Sequence, residues 1–117
     1  MEQDSGKIIL VITDANKSGL RLVFGNFLDM IKVIKGENLS QENLEDYQFV
    51  VVIDELDLVS ELKKRKKYNE EIYRFTIIFL SKSSPDLGRA RSNGAPVVFH
   101  TSQMGGIIKY FDNNLYY

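Results

Sequence analysis

Three apolar runs stand out along the chain, and each ends in a side chain able to do chemistry. Phe49-Val50-Val51-Val52-Ile53 is rich in β-branched residues and lacks polar alternation. That composition predicts a strand buried on both faces of a parallel sheet, with Asp54 at its carboxyl end and Glu55 next. Ile8-Ile9-Leu10-Val11-Ile12 ends in Thr13-Asp14, and Thr76-Ile77-Ile78-Phe79-Leu80 ends in Ser81. Open α/β sheets place their chemistry at this edge, so two carboxylates and a hydroxyl are brought toward one another by pattern alone.

Between these runs the period changes from two to that of a helix. Leu20, Val23, Phe24, Phe27, Leu28 and Ile31 fall three and four apart and predict a first helix with one wide buried face. Met30 to Ile34 opens a second strand, and Lys35-Gly36-Glu37-Asn38 reads as the turn after it. Ser40 is placed to cap a short helix through Leu44 and Tyr47. Leu58, Val59 and Leu62 begin another helix, whose outer side carries Lys63-Lys64-Arg65-Lys66-Lys67. Farther on, Ser84 reads as an N-cap, Pro85 as the first helical residue, Asp86 as a favourable first-turn charge and Gly94 as the C-terminal stop. Ala95 to Phe99 gives a short edge strand with Pro96 at its start. Met104, Ile107, Ile108, Phe111 and Leu115 then define a terminal amphipathic helix. Five alternating β and α units demand right-handed crossovers and a single doubly wound five-stranded parallel sheet, an α/β fold of flavodoxin-like topology. One domain is expected over 1–117, with 1–6 as a flexible lead-in.

Composition narrows the function classes. A hydrophobic fraction of 44% and a charged fraction of 26% are those of a globular domain, and a net charge of -1 argues against a dedicated nucleic-acid binder. With no cysteine there is no disulfide, thiolate catalysis or thiolate-bound metal. Neither a signal peptide nor an apolar run of membrane-spanning length is present, so a cytoplasmic protein away from membranes is expected. Thr13-Asp14-Ala15-Asn16-Lys17-Ser18-Gly19 holds one glycine, too few for a backbone phosphate cradle. His100 has no second histidine or cysteine near it and reads as a strand-end residue. The basic run is bracketed by Glu61, Glu70 and Glu71 and reads as a solvated helix face able to hold an acidic partner. Gly105-Gly106 offers the last helix a flexible start, and Tyr110, Tyr116 and Tyr117 either cover the core or face a second copy.

The three strand ends, taken together, resemble those of the response-regulator receiver domains of two-component signalling. The likeness runs from Lys7 to the last helix and is carried by Thr13-Asp14, by Leu44-Glu45-Asp46-Tyr47-Gln48 leading into the strand that ends at Asp54, by Ser81, and by Asn93-Gly94-Ala95. It implies that Asp54 is the phosphoacceptor and Ser81 the hydroxyl that meets the phosphoryl oxygen. A weakly held Mg²⁺ would then rest on Asp14, Asp54 and the backbone carbonyl of Leu56, with Thr13 a weak auxiliary. The departures are equally specific. Thr13 stands where the family has a second acid, and Thr101 where it has a lysine at the end of strand five, with Ser102 in place of the proline that follows. Val98, or Phe99 in the neighbouring register, takes the place of the switching aromatic, and Leu56-Asp57 replaces the usual Met-Pro.

Phosphoryl transfer to a carboxylate needs the spreading negative charge neutralised. A pocket with one acid and the lysine missing is therefore expected to be degenerate. The reading is a non-enzymatic signal-transduction module acting mainly by protein–protein contact. Its alternatives are a Mg²⁺-dependent receiver phosphorylated on Asp54 by a histidine kinase or a phosphotransfer protein, and a flavodoxin-like small-molecule binder. By resemblance a homodimer is plausible, and the chain reads as either a stand-alone receiver or part of a longer protein.

Overall fold

Strands β1 (Ile9–Ile12), β2 (Ile31–Ile34), β3 (Phe49–Ile53), β4 (Thr76–Ser81) and β5 (Val97–His100) form one parallel sheet in the order β2-β1-β3-β4-β5. The computed structural model describes residues 8–14, 25–45, 47–68 and 73–114. The three inner strands, β1, β3 and β4, are those whose sequences lack polar alternation. Every residue of β1, and Val50 to Val52 of β3, is fully buried. A fully buried side chain of this size is worth roughly 1.5–3 kcal/mol, so the inner strands hold the sheet together.

Alternate residues serve two cores. Leu10, Ile12, Val50, Val52, Ile77 and Phe79 face helices α1 (Leu56–Tyr68) and α2 (Ser84–Asn93) through Val59, Leu62 and Ala90. Ile9, Val11, Val51, Ile78 and Leu80 face Phe27 and helix α3 (Met104–Asn114) through Ile107 and Phe111. The second core is the aromatic one. Phe111 stands edge-on to Phe49 at 5.3 Å and tilted to Phe27 at 5.7 Å.

Several local expectations shift. Ile31, counted on the first helix, opens β2, and the described part of that helix is a 3-10 turn over Gly25–Met30; Leu20, Val23 and Phe24 lie outside the described residues, as do 1–6, Leu115, Tyr116 and Tyr117. The helix expected from Ser40 to Tyr47 is replaced by a 3-10 helix over Gly36–Gln41, so Ser40 lies inside it rather than capping it. Leu44 and Tyr47 are buried without being helical. This segment is tied instead by Glu42, whose Oε2 accepts from Tyr47 Oη at 2.7 Å and from Lys32 Nζ at 3.2 Å. The N-cap of α2 is Ser83, one residue before Ser84, and its Oγ accepts from the Asp86 N–H at 3.4 Å. Gly94 ends α2 at φ +118°, a left-handed conformation that glycine adopts without penalty. Among the described residues no helix is long and apolar enough to cross a membrane.

Candidate functional site at the carboxyl edge

Register brings the strand ends together. Ile12 is level with Val52, Ile53 with Leu80 and Ser81 with His100. Two residues past the last β1–β3 pair, Asp14 therefore comes level with Asp54. Both are exposed, whereas Thr13 and Ser81 are buried at 3% and 2% exposure. The edge thus offers its carboxylates to solvent and keeps its hydroxyls beneath them.

Asp54 marks the break in β3. Its N–H donates to Leu80 O at 3.0 Å, and its φ of +63° is the one positive φ outside glycine among the described residues. Aspartate is one of the few residue types that tolerates that conformation. The chain then turns through Glu55 into α1, whose first residue is Leu56, so the Leu56 carbonyl is also an acceptor of the helical ladder.

Glu55 is the site residue that pattern reading missed. Its Oε2 is buried, with no hydrogen-bond partner among the described residues. The carboxyl lies against the end of β2: a Cβ on Gly36 would collide with Glu55 Oε1 and stand 3.1 Å from both Glu55 Cδ and Leu58 Cδ1. Burial, and after it the negative charge of Asp14, push the Glu55 carboxyl above the ordinary value of 4.5. The acid pair Asp54-Glu55 and the Lys35-Gly36 dipeptide were the available signals, but their meeting depends on the register of β2.

The end of β5 is closed on itself. Thr101 N–H donates to Ser81 O at 3.1 Å, which places Thr101 beside β4. His100 N–H donates to Gln103 Oε1 at 2.8 Å, and His100 Nδ1 accepts from the Ser102 N–H at 3.1 Å with Ser102 Oγ at 2.8 Å. His100 thus builds the turn into α3. Ser81 Oγ accepts from the Ser83 N–H at 3.0 Å and so also shapes the entry to α2. Val98 packs with the α1–α2 core and Phe99 with the α3 core, its ring 6.0 Å from Tyr110.

Mg²⁺ takes six oxygens in near-octahedral order. Among the described residues no three carboxylate or imidazole side chains lie close enough to hold a metal ion together. Glu55 beside Asp14 leaves a local excess of negative charge at this edge.

The sequence matches no family model and no curated protein. Solved structures do match. A response-regulator receiver protein from Pseudoalteromonas atlantica superposes with a TM-score of 0.67 at 13% identity, covering 91% of this chain and 94% of that one. An atypical orphan response regulator superposes at 0.62 with 18% identity over 90% and 92%. The Mn²⁺-bound form of response regulator Rcp1 superposes at 0.61 with 15% identity over 91% and 92%. The chain has the receiver fold. Asp14 and Asp54 follow β1 and β3, and Ser81 ends β4, all at the carboxyl edge of that fold. Thr101 brings a further hydroxyl to the end of β5, and Lys82, exposed next to Ser81, brings a cation to the end of β4.

Proposed function

We propose that this chain is a signal-transduction module of receiver type that works mainly by contact with other proteins, its phosphorylation pocket being incomplete. The observation that carries the reading is the end of β5. Thr101 contributes no charge there, and the residues around it are spent on a self-contained turn. A lysine pairing with a phosphoryl group would make a charge-assisted bond worth about 1.5–3 kcal/mol. A phosphoryl group on Asp54 would carry roughly 1.5–2 negative charges in place of the carboxylate's one, beside Asp14 and Glu55 and without that bond. A switch moves only by the difference in contact energy between its two states, so modification here has little leverage. The similar atypical orphan response regulator is described as having a phosphorylation-independent regulatory mechanism, which supports the same reading.

A second reading is favoured by the level placement of Asp14 and Asp54 with Ser81 on the next strand. In it a phosphohistidine of a kinase or phosphotransfer protein gives its phosphoryl group to an Asp54 oxygen: the N–P bond breaks, the O–P bond forms and the imidazole leaves. Amide NMR spectra recorded while Mg²⁺ and then beryllofluoride are added decide between the two. Protein contact as the main mode predicts no Asp54-dependent shifts at millimolar metal. Shifts centred on Asp14, Asp54 and Ser81 that vanish in Asp54→Asn would establish the phosphoacceptor instead.

A further inference from the structure

The opposite edge of the sheet carries an unassigned feature. Two adjoining surface cavities of about 510 and 230 Å³ share Lys63 and Lys66. Among the described residues Lys67 and Tyr73 also line the first, and Arg91, Ile77, Gly94, Ala95 and Pro96 the second. Four cationic side chains therefore converge where α1 and α2 end, on an apolar floor formed by the starts of β4 and β5.

Helix C-termini favour cations, which accounts for basic residues in these last turns. It does not account for their arrangement. Lys63, Lys66 and Lys67 recur three and four apart and so share one face of α1. The Lys63 stem lies directly over Gly94, at a place where any Cβ would come within 2.7 Å of its Cδ. Lys66 Nζ stands 5.8 Å from the Phe75 ring centroid. Arg65 belongs to a different face: it donates to Leu39 O at 3.2 Å and pairs with Glu61 at 3.8 Å. The basic run, expected as a uniform solvated surface, is thus divided, with one part holding the 36–41 segment and the other lining the trough. Glu70 and Glu71 lie outside the described residues.

We infer that this trough is a docking groove for an acidic segment of a partner protein that also carries apolar side chains. Three of its four cations are lysines, compact charges on flexible stems that can each follow a separate carboxylate along an extended segment. Exposed Pro96 and half-buried Tyr73 are the apolar surfaces of the floor that apolar side chains between the acids would cover. A nucleic-acid binder usually pairs such a basic patch with a high pI for the domain, whereas the net charge here is -1. The inference deepens the protein-contact reading and rests on it for its biological sense, but the groove binds independently of Asp54.

The test is fluorescence anisotropy of a labelled peptide of glutamates with interspersed leucines, titrated with the full chain, wild type and Asp54→Asn alike. Binding should weaken as salt rises. Lys67→Glu and Arg91→Glu, both on exposed positions, should each weaken it about tenfold, a difference of about 1.4 kcal/mol. Lys64→Glu, with the same change of net charge outside the groove, should cost less than about twofold. Absence of peptide binding, an equal loss in Lys64→Glu, or tighter binding of an equally charged oligonucleotide or of phosphatidylserine vesicles through the same residues would overturn the groove. None of these results bears on the Mg²⁺ and beryllofluoride titration, so the two proposals fail separately.

Discussion

Helix α2 contains one glycine, Gly88, and is capped by another, Gly94, and the structure predicts alanine substitutions of opposite sign at the two. Gly94→Ala meets two costs. A β-carbon at φ +118° forfeits roughly 1 kcal/mol of backbone energy. The same carbon would stand 2.7, 2.9 and 3.2 Å from Cδ, Cγ and Cβ of Lys63, an overpacking that usually costs about 1–3 kcal/mol. The low end applies, because the Lys63 stem is exposed and can swing away. The expected loss is about 2 kcal/mol, or roughly 8 °C in Tm for a domain of this size. Gly88→Ala, within the same helix and with nothing within 4 Å of the added carbon, should gain about 0.8–1 kcal/mol from helix propensity. Urea and thermal unfolding followed by circular dichroism measure both, with an unchanged m-value as the sign that only stability has moved. In a Lys63→Ala background Gly94→Ala should lose only its backbone part, about 1 kcal/mol. A Gly94→Ala variant within about 0.5 kcal/mol of wild type, or a Gly88→Ala variant less stable than wild type, would refute the account of how α2 is built and how Lys63 is held.

Other expectations follow from the same geometry. Because the folded-state value of Glu55 is raised, the folded protein holds that proton more tightly than the unfolded chain, so the stabilisation is complete below 4.5 and is lost as pH rises through the folded value. Glu55→Gln should therefore match wild type near pH 4 and exceed it in Tm at pH 7; a variant less stable at pH 7 would contradict the buried, repelled carboxylate. Gly36→Ala should destabilise by about 1 kcal/mol, and Glu55→Ala should suppress most of that cost in a double-mutant cycle, since Glu55 is the group in the way. Asp54→Asn should unfold within about 0.5 kcal/mol of wild type, because asparagine shares the tolerance for φ +63°, whereas Asp54→Val should lose about 1–2 kcal/mol. Phe111→Ala, removing a ring buried against Phe27 and Phe49, should cost about 3–5 kcal/mol, enough for the variant to be partly unfolded at 37 °C.

Continuity of apolar runs made the sheet legible. Runs of Val and Ile flanked by polar residues leave little choice but buried parallel strands, and helices with clear end signals, Pro85 with Asp86 before and Gly94 after, were placed to within a residue. The serine doublet hid the true cap, since Ser83 and Ser84 satisfy the same pattern and only the backbone at Ser83, extended at ψ 109°, separates them. The segment from Gly36 to Tyr47 was misread because Leu44 and Tyr47 are spaced as on a helix while their burial is fixed by tertiary contacts, with Glu42 bonded to both Lys32 and Tyr47. At the carboxyl edge Asp14, Asp54 and Ser81 were visible as strand ends. Glu55 was not, because it meets Gly36 at the start of the 3-10 helix that follows β2, a strand not adjacent to β3, and no local pattern in the sequence records that meeting.

The strand order also bears on how the chain is made. β1 precedes the other four strands in synthesis yet sits inside the sheet, between β2 and β3. At about 5–20 residues per second, roughly one to four seconds separate the appearance of Ile34 from that of Ile53. During that interval the Ile9–Ile12 edge, wholly apolar and later sealed by Phe49 to Val52, faces outward with its peptide groups unpaired. A stall or cleavage between β2 and β3 would release a fragment with this adhesive edge, whereas one between β4 and β5 would leave the central strands already covered on both sides.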